Sequence, residues 1–90
     1  MSVRVRLSSL LYKFANCQEV VEVGESSLVE CLRSVEAQCP GVRQWLYNKE
    51  GELSPVIQFF VNGERVYADE LANQLKDGDE FFILFAIAGG

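Results

Sequence analysis

Lys76-Asp77-Gly78-Asp79, then Glu80-Phe81-Phe82-Ile83-Leu84-Phe85, then Ala86-Ile87-Ala88-Gly89-Gly90: a turn, a strand and a tail close the 90-residue sequence. Gly78 supplies the positive φ that a tight Asp-Gly turn needs. The uninterrupted apolar run after it predicts a strand covered on both faces, hence one at the centre of a sheet. Such a strand running into two glycines is an unusual close. Glycines without side chains can lie extended in a channel too narrow for any Cβ, and they leave the final carboxylate sterically open. That combination predicts a C-terminus that is itself the reacting group, at Gly90 with Gly89 beside it.

Working back from that strand, the rest of the fold follows. Val3, Val5 and Leu7 alternate with Arg4 and Arg6, the pattern of a half-buried strand. Ser8 to Cys17 reads as a connection whose Leu10, Leu11 and Phe14 pack partly on the core. Glu19-Val20-Val21-Glu22-Val23 is a second strand, closed by Gly24 and spaced for an antiparallel hairpin with the first. Ser27-Leu28-Val29-Glu30 is a capping box and predicts a helix to about Cys39, where Pro40-Gly41 ends it. Leu28, Leu32, Val35 and Cys39 fall on one stripe of that helix. Val42 to Tyr47 predicts a short helical turn carrying Trp45 and Leu46 inward, and the polar Asn48 to Ser54 is a loop. Val56 to Val61 is a third strand, Asn62-Gly63 a hairpin turn, and Glu64 to Tyr67 the short return strand. One turn of helix is expected within Asp69 to Leu75. The order β-β-α-β-β-(turn)-β describes an α+β, ubiquitin-like β-grasp. Its mixed sheet of four to five strands is crossed by one main helix, with the last strand beside and parallel to the first. Residues 1–90 form one domain, with 86–90 projecting as a flexible tail.

Composition narrows the function. Net charge is −5, from 8 Lys and Arg against 13 Asp and Glu. That disfavours nucleic acid and anionic membrane, which need a basic face. No signal peptide is read, because Arg4 and Arg6 interrupt the first apolar residues. Phe81 to Ala88 is too short to span a bilayer. There is no histidine, metal-type spacing or phosphate loop, so no bound cofactor or metal and no free-standing enzyme is expected. Cys17, Cys31 and Cys39 are odd in number and suggest a reduced, cytoplasmic protein. Cys31 and Cys39 read as core filling beside the helix, and Cys17 as an exposed loop residue. Glu19, Glu22 and Glu25 form an acidic edge, while Asp77, Asp79 and Glu80 cluster at the last turn. These read as solvated or turn-forming groups, or as a docking edge for a basic partner.

Alternation also predicts an interaction surface. If Ile57, Phe59, Val61, Ile83 and Phe85 face the helix, then Phe60, Phe82 and Leu84 face the other way, together with Arg4 and Arg6. An apolar patch edged with arginine is how a partner surface looks. The competing reading is that the segment from Val42 to Pro55 covers it.

The sequence resembles the MoaD/ThiS sulfur carriers, the small subunits of molybdopterin synthase and the thiamine-pathway carriers. The likeness rests on Leu75-Lys76-Asp77-Gly78-Asp79-Glu80, the apolar strand, and the ending Ile87-Ala88-Gly89-Gly90. Val3-Arg4-Val5-Arg6-Leu7, Val61-Asn62-Gly63 and Cys39-Pro40-Gly41-Val42-Arg43 support it. Phe85-Ala86 stand where molybdopterin-type members often carry two prolines, and the ending is equally similar to the thiamine carrier. The chain length and the Glu50-Gly51-Glu52-Leu53 insertion resemble the molybdopterin type. The resemblance implies that an E1-like, ATP-dependent adenylating enzyme activates the Gly90 carboxylate. A sulfur donor then converts it to a thiocarboxylate. A larger sulfurtransferase or synthase subunit uses that sulfur, with Ile87 and Ala88 helping to seat the tail. ATP belongs to the partner. The acceptor implied first is the pterin dithiolene of molybdenum or tungsten cofactor, with thiamine, cysteine and tRNA routes open. A ubiquitin-like modifier joined to lysines through Gly90 is the alternative.

Overall fold

The computed structural model describes residues 2–24 and 27–86. Within them lie β1 (Val3–Leu7), α1 (Ser9–Phe14), β2 (Val20–Val23), α2 (Leu28–Gln38), α3 (Arg43–Leu46), β3 (Ile57–Val61), β4 (Glu64–Val66) and β5 (Glu80–Phe85). Two single turns of 3-10 helix, Pro40–Val42 and Ala68–Glu70, fill the connections. The five strands run in the order β2-β1-β5-β3-β4. As the apolar run of β5 demands, it is central: parallel to β1, with Arg6 opposite Phe82, and antiparallel to β3, with Phe60 opposite Phe82. This is the β-grasp arrangement that the sequence predicts.

One sheet face carries the core. Val3, Val5, Leu7, Phe81, Ile83 and Phe59 are buried, and α2 presses Leu28, Cys31, Leu32 and Val35 against them. Ser27 caps α2: its hydroxyl oxygen accepts from the Glu30 amide at 3.3 Å and donates to the Glu30 carboxylate at 2.8 Å. At the Asn62-Gly63 turn, φ is 50° and 88°, the doubly left-handed geometry of a two-residue hairpin.

Two expectations change. The connection from Ser8 to Cys17 is not a plain loop, because Ser9–Phe14 forms a helix. Six residues with only Leu11 buried carry too little periodicity to announce themselves, and tertiary packing makes the helix. The cysteines change more. Cys17 and Cys39 are bonded to each other, with Cα atoms 5.7 Å apart. Cys39 is therefore a half-buried cross-link at the C-cap of α2 rather than core filling, and Cys17 is not an open loop thiol. Their positions depend on two chain reversals that spacing alone does not reveal.

Candidate functional site

Turned away from α2, the sheet presents a row of side chains set by register. Val20, Arg6, Phe82, Phe60 and Arg65 stand side by side on β2, β1, β5, β3 and β4. Phe60 and Phe82 lie 6.2 Å apart between ring centroids, in a tilted pair. Leu84 sits one step along β5, opposite Gln58. All three apolar side chains are half-buried. The segment from Val42 to Pro55 does not cover them. It packs on the helix side, with Val42 and Leu46 buried in the core and Trp45 edge-on against Phe85 at 5.8 Å. A hollow of about 370 Å³ opens over Phe60, Phe82 and Leu84. It adjoins a second, of about 340 Å³, in which Phe82 and Leu84 meet Leu10 and Tyr12 of α1. The apolar surface thus runs unbroken from β3 to α1.

The charged edges differ from expectation. Arg6 is already engaged. Its Nε lies 3.2 Å from a Glu80 carboxylate oxygen, a charge contact rather than an aligned hydrogen bond, and Nη1 lies 3.9 Å from Glu19. Arg4 is exposed but flanked by Glu22 and Glu80, which are its register partners, and by Asp77. Neither makes a simple basic rim. The cation that sequence reading missed is Arg65, whose guanidinium lies 5.9 Å from the Phe60 ring centroid and 4.8 Å from that of Tyr67. The signal was present: a two-residue turn at Asn62-Gly63 places Phe60 opposite Arg65.

The start of β5 is fixed by the Lys76 to Asp79 turn. Gly78 donates its N–H to the Ser2 carbonyl, and Arg4 N–H to the Asp79 carbonyl. The Asp79 carboxylate accepts from the Lys76 N–H at 2.8 Å and from the Asn62 amide at 3.0 Å. The Asn62 side-chain oxygen in turn accepts from the Glu80 N–H at 3.0 Å. Asn62 therefore does more than turn the chain, because it ties the β3–β4 hairpin to the start of β5. The Lys76 N–H first, and the Asn62 amide second, hold the Asp79 carboxyl below its ordinary value of 3.8. A lowered folded-state value means that the stability contributed is complete above the unfolded value and lost as pH falls through the folded one. Asp79→Asn should therefore be less stable than the parent at neutral pH and converge with it below about pH 4. Urea midpoints across that range check this, and a constant gap at all pH values would contradict it.

The end of β5 is equally tied. Phe85 N–H donates to the Ser8 hydroxyl oxygen at 3.1 Å, and Ala86 N–H to the Val56 carbonyl at 2.6 Å. The arm expected from Ala86 is thus anchored at its first residue. Ile87, Ala88, Gly89 and Gly90 lie outside the described residues. A larger, polar hollow of about 600 Å³ lies between α2 and α3, beside Arg33 and Lys49. Its carboxylate, Glu36, already accepts from the Tyr47 hydroxyl at 3.0 Å and pairs with Arg43 at 3.4 Å. Burial first, and Glu36 second, raise the Tyr47 phenol above its usual value. That hollow lacks an apolar floor for a partner. Among the described residues, no helix is long and apolar enough to cross a membrane.

Residues 5–90, hence the anchored strand and all that follows it, match the ThiS family. The chain belongs to the ThiS family. A relative from Archaeoglobus fulgidus, provisionally named a sulfur carrier protein, is 34% identical over 92 residues, with all of both chains covered. The crystal structure of the BexX/CysO complex of Amycolatopsis orientalis contains a chain 31% identical to this one. The match covers 98% of this chain and 99% of that one, with a TM-score of 0.79. The complex of subunits 1 and 2 of the molybdopterin-converting factor of Helicobacter pylori contains a chain 26% identical, fully covered both ways, with a TM-score of 0.68. Relatives of this chain are named as sulfur carriers and as small archaeal modifiers, small proteins that are not catalysts in their own right. Two of these relatives are seen in complexes with a second protein.

Proposed function

We propose that Gly90 is the reacting group and the outer sheet face its docking surface. A carboxylate is a poor electrophile. The Gly90 carboxylate attacks the α-phosphorus of ATP in a partner adenylating enzyme, pyrophosphate leaves, and the acyl adenylate now has a good leaving group. Hydrosulfide-level sulfur from a donor attacks the carbonyl carbon, AMP leaves, and a thiocarboxylate remains. A larger synthase-type subunit then passes that sulfur to an acceptor, and water restores the carboxylate. The observation that carries this reading is one strand with two jobs. β5 presents Phe82 and Leu84 to a partner and holds the root of the tail through Phe85 and Ala86. Four further residues reach about 13–14 Å when extended, so a partner seated on this face receives Gly90 within its own body.

For the acceptor we take the pterin dithiolene of molybdenum or tungsten cofactor, supported by the likeness to the molybdopterin-converting-factor complex. The higher identity to the BexX/CysO complex supports a second acceptor class, served by the same thiocarboxylate. The test is ATP–pyrophosphate exchange by an adenylating enzyme of this class, with and without the chain. Exchange that requires the chain is expected. Exchange independent of it would contradict the proposal. High-mass lysine conjugates without any thiocarboxylate would make the protein a modifier instead.

A further inference from the structure

Two chain reversals bring Cys17 and Cys39 together. Helix α1 ends with its cap at Ala15 and Asn16 in the left-handed region, φ 54°. Asn16 N–H donates to the Lys13 carbonyl at 3.2 Å, and Cys17 N–H to the Tyr12 carbonyl at 2.8 Å. This paired closure aims Cys17 back along the helix end. Helix α2 ends at Cys39 because Pro40 follows and cannot continue it. The two helix ends then meet so closely that a Cβ on Gly41 would come within 2.7 Å of the Ala15 carbonyl oxygen. The Cα separation of 5.7 Å lies within the range that a disulfide spans without moving the backbone. Both cysteines are half-buried and reachable from outside, whereas Cys31 is fully buried in the core.

The bond does not stand alone. Phe14, three residues before Cys17, stacks on Trp45 with centroids 5.1 Å apart, and Trp45 meets Phe85 edge-on. Phe85 is the last residue of β5, at the root of the tail. The disulfide therefore cross-links the segments that carry Phe14 and Trp45. The indole Nε1 of Trp45 is buried with no hydrogen-bond partner among the described residues. Meanwhile Ala15, Val42 and Leu46 are buried in the core and keep the helix ends docked without the bond.

We propose that Cys17 and Cys39 form a reversible redox site, exchanged with small-molecule thiols and disulfides, whose oxidised form clamps the Phe14–Trp45–Phe85 shelf at the end of β5. One thiolate attacks a glutathione disulfide and expels one glutathione thiol. The second cysteine then displaces the other from the mixed disulfide. Two protein thiols become one S–S bond, and one glutathione disulfide becomes two thiols. The site does not depend on which acceptor the carrier serves.

The full chain is equilibrated in graded mixtures of reduced and oxidised glutathione, then alkylated under denaturing conditions and mapped by mass. Cys17 and Cys39 are expected to gain and lose protection together, with Cys31 alkylated throughout. Trp45, the single tryptophan, should change its emission over the same range. Closing a loop across a separation of 22 residues should raise the Tm of the oxidised form by about 10–20 °C, with the reduced form still folded. Cys17→Ser, and independently Cys39→Ser, should keep the Tm and Trp45 emission of the reduced form in every mixture, with the remaining cysteine going no further than a mixed disulfide with glutathione. Three alkylatable thiols in fully oxidised glutathione would overturn the proposal. So would identical Trp45 emission in the two forms, or unfolding on reduction.

Discussion

A chain lacking Gly90, or carrying one extra residue after it, is expected to lose chain-dependent ATP–pyrophosphate exchange by about 100-fold or more. The reason is placement rather than folding. One residue moves the reacting carboxylate by about 3.3–3.6 Å, whereas in-line attack on a phosphorus tolerates far less. Neither change touches the core, since β5 is pinned by Ser8 and Val56 at Phe85 and Ala86. Binding of the altered chain to the adenylating enzyme should therefore fall far less than exchange. Gly90→Ala tests a different property, the width of the channel: it keeps the carboxylate in register but adds a Cβ. Full activity in the extended chain would remove the carboxylate from the chemistry.

The second large effect concerns docking. Phe82→Asp and Leu84→Asp together should weaken the complex with the adenylating enzyme by roughly 30- to 1000-fold, the equivalent of about 2–4 kcal/mol at an interface hot spot. Both side chains point away from α2, so the core row of Phe81, Ile83 and Phe85 stays in place. Titration calorimetry at fixed salt reads the affinity, and the unfolding midpoint of the free chain confirms the fold. Arg65→Ala is the finer probe. It removes the cation beside Phe60 and Tyr67 without a new charge on the apolar floor, and a smaller loss is expected. Unchanged affinity in the double aspartate variant would place the partner elsewhere.

Much of this was legible because β5 carries one unambiguous signal. An apolar run bounded by Asp77-Gly78 must be central, and centrality fixes β1 on one side and β3 on the other. The outward set of Phe60, Phe82 and Leu84 then follows from the two-residue period of a strand. Arg65 was within reach by the same register and was passed over. Other features lay beyond the pattern. Helix α1 exists through its packing, and Ser8 acts through a hydroxyl that meets Phe85 from 77 residues away. The charge balance of the rim also escaped, because Arg6 lies diagonally beside Glu80 rather than opposite it. Cys17 and Cys39 meet only because Asn16 accepts a left-handed backbone and Pro40 stops α2 one residue after the thiol.

The central claim is that sulfur rides on the Gly90 carboxylate. Accurate mass of the C-terminal peptide, released from protein purified from its own host, tests it most directly. A fraction of that peptide is expected to have one oxygen of the Gly90 carboxylate replaced by sulfur, and to be modified at Gly90 by thiol-directed alkylation. A C-terminal peptide that carries only an ordinary carboxylate, under conditions where the partner adenylating enzyme is present and active, would contradict it.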